Sequence, residues 1–174
     1  QIACGYQYTY ILKNDGSVWA CGYNDYGRLG LGTTDEDVHS TFTQVTTNVK
    51  QISCGYNHAF IIKNDGSVWA CGHNAYGQLG IEDKTNRTAP VQAKYSYELE
   101  DGTEKVEELT DVIDIAAGYY HTLVLKSDGT VWAAGINTYG QLGDGTKVSS
   151  NTFHKVKLDN GDDLQNIVQI TAED

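Results

Sequence analysis

The chain has 174 residues, of which 40% are hydrophobic and one is a proline, and this composition is typical of a globular chain with its own core. Its 23 acidic residues outnumber 12 basic ones, and the net charge of -11 argues against partners such as nucleic acid or an anionic membrane, since phosphate contacts need clustered Lys and Arg. No apolar stretch approaches the ~18 residues of a membrane span, so insertion into a membrane is not expected.

The same pattern of residues occurs three times along the chain. An isoleucine opens each unit, a glycine and an apolar run follow, and then come Asp-Gly, Val-Trp-Ala and Tyr-Gly-x-Leu-Gly. The repeats span about 1–50, 51–113 and 114–168, and the start of a fourth strand is expected at 169–174. A tandem array of this kind is predicted to stack its units, because one unit cannot bury its own apolar faces.

Each unit is predicted to form four short antiparallel strands. In the third unit, the opening strand covers residues 114–117. Asp128-Gly129 then joins two strand-like runs, at 121–126 and 130–134, as in a β-hairpin. The fourth strands are expected near 42–45, 89–92 and 153–156. Four short strands in a repeat of roughly 50 residues describe one blade of a β-propeller, so the fold class is all-β.

Three motifs carry a resemblance to a known family. The third unit reads Gly-x-x-His-Thr-Leu-x-Leu, Asp-Gly-x-Val-Trp-Ala and Gly-x-Asn-x-Tyr-Gly-Gln-Leu-Gly, which resembles the regulator of chromosome condensation repeat. The resemblance implies a seven-bladed β-propeller, of which this chain holds about three blades. The chain departs from the family pattern at Tyr8, where histidine is expected, and at Arg28, where glutamine is expected. Since three blades leave two open flanks, we expect further repeats or a second copy to cover them.

The four cysteines recur in pairs with one spacing. Cys4 and Cys21 are separated like Cys54 and Cys71, and alanine replaces both positions in the third unit. This joint replacement indicates that the two positions are neighbours in space. One interpretation is a disulfide within each of the first two blades, formed in an oxidising compartment. The other is four small buried thiols, and a metal site is not expected because no Cys-x-x-Cys spacing occurs.

A tyrosine follows the glycine of each opening strand, and the third unit adds one more ring. The four rings are those of Tyr6, Tyr56, Tyr119 and Tyr120. They are expected to line one mouth of the propeller and to anchor a peptide or a sugar, and the alternative is that they pack on neighbouring loops. The tyrosine and leucine of each Tyr-Gly-x-Leu-Gly loop are interpreted as plugs between blades. The recurring His58 and His121 are interpreted as structural hydrogen-bonding residues.

The second unit carries an insertion around residues 94–108 that alternates about Asp-Gly and predicts a projecting hairpin. Its candidate contact residues are Tyr97, Glu98, Glu100, Asp101 and Glu104. An acidic surface of this kind fits a basic partner, and the alternative is a solvated hairpin that only adds solubility. Residues 155–163 resemble a shorter version of it. The acidic residues at 159–163 lack the spacing of a calcium loop, so neither a metal nor a cofactor is expected.

No Ser/His/Asp or Cys/His group can be assembled from the recurring positions, so we do not expect an enzyme. The pattern favours a non-catalytic protein-binding scaffold with contacts through loops and acidic hairpins. Two alternatives follow from the resemblance: a guanine nucleotide exchange factor for a small GTPase, like the namesake of the family, or a secreted inhibitor or lectin-like binder, like a related bacterial propeller that inhibits β-lactamases. The acidic composition, rich in Tyr, Asn and Gly, suggests a bacterial protein located at the cell surface or outside the cell.

Overall fold

The computed structural model describes residues 1–35 and 37–173, and most of its regular structure is β-strand. The first blade consists of β1 (Ile2–Gly5), β2 (Tyr8–Leu12), β3 (Val18–Tyr23) and β4 (Val38–Thr46). The second consists of β5 (Val49–Cys54), β6 (His58–Lys63), β7 (Val68–Gly72) and β8 (Arg87–Gln92). A hairpin follows, made of β9 (Lys94–Glu98) and β10 (Glu104–Glu108). The third blade consists of β11 (Val112–Ala117), β12 (His121–Lys126), β13 (Val131–Gly135) and β14 (Ser150–Lys155).

The hairpin at the centre of each blade is built from the same local hydrogen bonds. In the first blade, the Asp15 carboxylate accepts bonds from the Ser17 amide at 2.9 Å and the Ser17 hydroxyl at 2.6 Å, and the indole of Trp19 donates to that hydroxyl at 2.9 Å. The second and third blades repeat this arrangement. The Asp-Gly signal in the sequence therefore specifies the turn and also fixes the tryptophan on the next strand.

Neighbouring blades bury their apolar faces against each other in two separate cores. Between the first and second blades, Tyr10 and Val18 pack in one cluster with Ile52 and Ile61. Between the second and third blades, the cluster contains Phe60, Ile62 and Val68 of the second blade and Ile115, Val124 and Phe153 of the third. The prediction of all-β blades with four antiparallel strands, about three of them in this chain, is confirmed.

The insertion in the second repeat forms the predicted hairpin, but it belongs to the sheet of the third blade. The strand order of that sheet is β10-β9-β14-β13-β12-β11. The junction is a parallel pairing of Tyr95 with Phe153. The hairpin thus covers the outer edge of the third blade, which would otherwise present unpaired backbone groups.

The segment after Lys155 contains one isolated bridge, between Lys157 and Asp163, among the residues described up to 173. A Cβ added to Gly118 would lie 3.0 Å from the carbonyl oxygen of Glu173. In the same way, a Cβ added to Gly55 would lie 2.4 Å from the carbonyl oxygen of Gly118. A fourth opening strand at 169–174 stays a prediction, and residue 174 lies outside the described residues. In the described part of the chain, no helix is long and apolar enough to cross a membrane.

Candidate functional site

The four cysteines are free thiols in the structure, which does not carry the disulfides of the first interpretation. Cys4 pairs with Thr9 across the first ladder, and Thr9 pairs with Cys21 across the next. One strand therefore separates the two cysteines, which places their Cα atoms about 10 Å apart, beyond the reach of a disulfide. The interpretation as four buried thiols also fails, because Cys71 is buried whereas Cys4 is exposed.

The tyrosines that follow the opening strands form a continuous stack across all three blades. The rings of Tyr6 and Tyr56 have centroids 4.4 Å apart, and those of Tyr56 and Tyr119 are 3.9 Å apart, with interplanar angles of 15° in both pairs. The backbone sets this spacing, because the amide of Tyr6 donates to the carbonyl of Tyr56 at 3.0 Å. A Cβ on Gly55 would meet the Gly118 carbonyl at 2.4 Å, so only glycine allows the strands to converge so closely.

The stack continues onto the loops of the first and second blades. The ring centroid of Tyr120 lies 6.3 Å from that of Tyr56 and 4.7 Å from that of Tyr76. The ring of His73 lies between two tyrosines, with centroid distances of 5.7 Å to Tyr120 and 4.8 Å to Tyr26. We call this seven-ring surface the aromatic ribbon, and its members are Tyr6, Tyr56, Tyr119, Tyr120, Tyr76, His73 and Tyr26. All four tyrosines predicted for the mouth are thus brought together, with three further rings that the sequence analysis missed.

The tyrosines of the Tyr-Gly-x-Leu-Gly loops are not plugs between blades, as the sequence had suggested. Tyr26 and Tyr76 are exposed members of the ribbon, and Tyr139 in the third blade is 89% exposed. The leucines of the same loops do fill the interior, since Leu29, Leu79 and Leu142 are buried. The signal in the sequence was the glycine after each tyrosine, which has a positive φ and makes a tight turn.

The ribbon offers an apolar surface edged with hydroxyl groups. Tyr6 is 48% exposed at one end, and Tyr56, Tyr119 and Tyr120 are half-buried. Because stacked rings cover one another's faces, the exposed parts of the stack are ring edges and phenol groups. A hydrogen bond with Tyr119 raises the pKa of the Tyr56 hydroxyl above its ordinary value. This chemistry suits a partner that brings both apolar groups and hydrogen-bond acceptors.

The loops that carry the ribbon are held from below by polar side chains. The buried guanidinium of Arg28 donates to the Tyr6 and Asp25 carbonyls at 3.0 Å each, which ties the stack to the first loop. In the second blade, Gln78 contacts the His73 ring at 2.8 Å and accepts from the Tyr76 amide at 3.0 Å. The ribbon is therefore ordered before any partner binds, which lowers the entropic cost of recognition.

The recurring histidine position connects neighbouring blades. The hydroxyl of Tyr8 in the first blade donates to the carbonyls of Gly55 and His58, at 3.0 and 2.5 Å. The buried ring of His58 contacts the Thr122 hydroxyl in the third blade at 3.1 Å. Burial, and next the nearby His73 and His121, lower the pKa of His58 to about 3. The structural role predicted for His58 is therefore confirmed.

The acidic hairpin lies at the opposite end of the third sheet from the ribbon. Its exposed turn carries four of the predicted contact residues, Glu98, Glu100, Asp101 and Glu104. Tyr97, the fifth, is half-buried and stacks on Tyr95 at 5.6 Å. Since β10 is the outermost strand and β11 the innermost, the predicted tyrosines and acids form two separate surfaces. Within residues 1–35 and 37–173, no group of three or more His, Cys, Asp or Glu side chains could hold a metal ion.

Comparisons with known proteins place these features in a family. The Regulator of chromosome condensation (RCC1) repeat matches residues 15–62, 65–125 and 128–172, and a second description of the same repeat matches 1–28, 49–78 and 112–141. The chain is 42% identical over 153 residues to human "Probable E3 ubiquitin-protein ligase HERC4", covering 87% of this chain and 13% of that protein. It is 28% identical over 157 residues to the Arabidopsis thaliana "Ultraviolet-B receptor UVR8", covering 89% of this chain and 33% of that one.

A solved structure agrees with the fold. Prp20p from Saccharomyces cerevisiae, which has been studied for its binding to Gsp1p and histones, superposes with a TM-score of 0.71 at 20% identity, covering 92% of this chain and 38% of that one. The chain therefore spans well under half the length of each protein to which it is similar.

Proposed function

Because this chain belongs to the regulator of chromosome condensation (RCC1) repeat family, we propose that it is a non-catalytic protein-binding section of a β-propeller whose contact surface is the aromatic ribbon. The observation that carries the proposal is the unbroken contact of seven rings across three blades. Repeat scaffolds place their binding surfaces on segments that leave the repeated core, and the ribbon consists of such segments.

The energetics of the ribbon support a role in recognition. Aromatic side chains are enriched at the centres of protein interfaces because they bury a large area at a small cost in side-chain entropy. Exposed tyrosine edges also keep their hydroxyl groups available for hydrogen bonds across an interface. Prp20p binds Gsp1p and histones, and its shared fold supports a protein partner for this chain as well.

The acidic hairpin is proposed as a second, weaker contact. Glu98, Glu100, Asp101 and Glu104 are exposed on one turn of a chain whose net charge is -11, so a basic partner would be attracted toward this edge. Exposed charges of this kind raise association rates and are screened by salt, and they contribute little to affinity by themselves.

A binding experiment with matched variants tests the proposal. The chain is immobilised, exposed to an extract of its native host, and the retained proteins are quantified by mass spectrometry. The ribbon variant carries Tyr6→Ala and Tyr76→Ala, and the control carries Tyr139→Ala, which changes the equivalent loop position outside the ribbon. We expect the ribbon variant to lose a partner that the wild type and the control both retain. Equal retention by all three proteins contradicts the proposal.

The family also supports a second hypothesis, nucleotide exchange on a small GTPase. An assay with a labelled guanine nucleotide tests it directly, since an exchange factor accelerates nucleotide release and a simple binding module does not. A lectin-like role is tested with a glycan array, on which binding to sugars but to no protein would replace the protein-binding proposal.

A further inference from the structure

A cleft lies at the outer edge of the third blade, away from the ribbon. Its volume is about 630 Å³, within the range of sites for small molecules. Its lining includes Tyr97 and Glu98 of the insertion hairpin, and Lys157 and Asp163 of the bridged segment after Lys155. Part of the lining thus comes from segments that depart from the repeat, which is where repeat proteins place specific sites.

One residue that lines the cleft is a lysine held against two aromatic rings. Lys126 is 9% exposed, and its ammonium lies 4.4 Å from the ring of Tyr95 and 5.5 Å from that of Trp132. In the described part of the chain, no carboxylate lies within ion-pair distance of it. The carboxylate of Asp128, two residues further on, accepts two hydrogen bonds from Thr130. Lys126 therefore lines the cleft as a nearly buried cation that lies against aromatic rings, with the charge of Asp128 acting on it from beyond ion-pair distance.

The other repeats show what the insertion has changed. Lys13 and Lys63 hold the equivalent positions, with their ammonium groups 4.0 Å from Trp19 and 4.8 Å from Trp69. Lys13 is exposed and Lys63 is half-buried, because no hairpin covers them. In the third blade the hairpin adds Tyr95 over the lysine and encloses it. The lysine that lies at the surface in the first blade therefore lines a cleft in the third blade, as Lys126.

The remaining groups around the cleft are mixed in charge. Lys155 also lies over Trp132, at 5.6 Å, but it is neutralised by its ion pair with Asp163. Glu98 and Asp144 add carboxylates, and Thr146 adds a hydroxyl. A ligand with an anionic group could place that group on Lys126 and donate hydrogen bonds from several hydroxyl groups to the carboxylates of Glu98 and Asp144.

We propose that this cleft binds a small polyhydroxylated oxyanion, such as a sugar acid or a sugar phosphate, with its charged group on Lys126. The carboxylate and the phosphate share the chemistry that Lys126 recognises, a compact group of negatively charged oxygens. This site is independent of the ribbon, and neither proposal requires the other.

The test uses three probes that differ in charge: gluconate, glucose 6-phosphate and neutral glucose. Each is titrated into the full chain while the indole signal of Trp132 is followed by NMR. We expect at least one anionic probe to shift this signal with saturation, and glucose to leave it unchanged. The two anionic arms distinguish a carboxylate from a phosphate ligand.

Matched variants tie the binding to the lysine. Lys126→Met keeps the length of the side chain and removes its charge, and we expect it to weaken binding about tenfold or more. Lys63→Met changes the equivalent lysine of the second blade and should bind like the wild type. A melting curve for each variant shows whether it is folded. If Lys126→Met is unfolded, the titrations of the wild type with the anionic probes and glucose test the proposal without it. The proposal is overturned if neither anion shifts the signal, if glucose binds as well, or if a folded Lys126→Met variant binds normally.

Discussion

The opening strands of the first and second blades have similar sequences, but only the strand of the second blade is covered by a neighbouring blade. Ile52 of the second blade faces the first blade and is 1% exposed, whereas Ile2, its counterpart in the first blade, is 71% exposed. Cys71 is likewise buried and Cys21 is half-buried. The same residue type is a core residue or a surface residue according to whether a neighbouring blade is present. Stability in this array therefore resides in the contacts between blades.

The largest expected effect separates these two faces directly. Ile52→Ala removes three carbons from a packed core and should destabilise the chain by about 2–5 kcal/mol. Ile2→Ala makes the same change on the exposed face and should stay within about 0.5 kcal/mol of the wild type. Urea unfolding followed by tryptophan fluorescence measures both. Similar losses for the two variants would show that stacking of blades does not determine stability.

A second prediction uses pH to probe the contact between the second and third blades. The pKa of His58 is lowered to about 3 by burial, below the ordinary value of about 6.5, so the unfolded chain binds a proton that the folded chain excludes. The contribution of His58 to the free energy of unfolding is fully present above about pH 6.5, and it falls by about 1.4 kcal/mol per pH unit as the pH decreases toward 3. Denaturant unfolding between pH 7 and 4 measures it.

The control for the pH effect is His58→Gln, which keeps a polar side chain but cannot gain the proton. The difference in stability between wild type and variant should shrink steadily below pH 6. A difference that stays constant across this range would place the ring of His58 in contact with solvent.

A smaller effect is expected at the contact between the first and second blades. Tyr8→Phe removes the hydroxyl that bonds to two carbonyls of the second blade, and should cost about 1 kcal/mol. Tyr139→Phe, at a position that is 89% exposed, should cost nothing measurable. Thermal unfolding of both variants makes the comparison, and a neutral Tyr8→Phe would mean that these bonds do not stabilise the pair of blades.

The last prediction concerns rates of thiol modification. Cys4 is exposed, whereas Cys71 is buried and its pKa is raised to about 11 by that burial. A thiol reagent at neutral pH should therefore label Cys4 rapidly and Cys71 only on unfolding. Peptide mapping after timed labelling measures the order, and the unfolded, unreduced chain should show four free thiols. Fewer than four would restore a disulfide.

Features decided by neighbours in the sequence were the ones that the sequence predicted well. The Asp-Gly turns follow from local backbone preferences and hydrogen bonds to Ser17, Ser67 and Thr130, so they could be recognised without coordinates. The prediction of four strands in each repeat was built around these turns.

Features decided by contacts between blades could not be read in this way. His73 and Tyr76 join the ribbon only because the third blade places Tyr120 beside them. The joint replacement of both cysteines by alanine indicated that the two positions are neighbours in space, but it could not reveal the strand that lies between them. The same limit applies to the insertion, whose pairing with the third blade depends on a long-range contact. The expectation that further repeats or a second copy cover the exposed face of the first blade stays a prediction.

The central claim is that the aromatic ribbon is the surface on which a protein partner binds. Hydroxyl-radical footprinting of the chain, free and bound to the partner recovered by immobilised wild type, tests it most directly. The account predicts that oxidation falls at Tyr6, Tyr26 and Tyr76 in the complex while Tyr139 is modified as before. Unchanged oxidation of these three tyrosines in a saturated complex would contradict it.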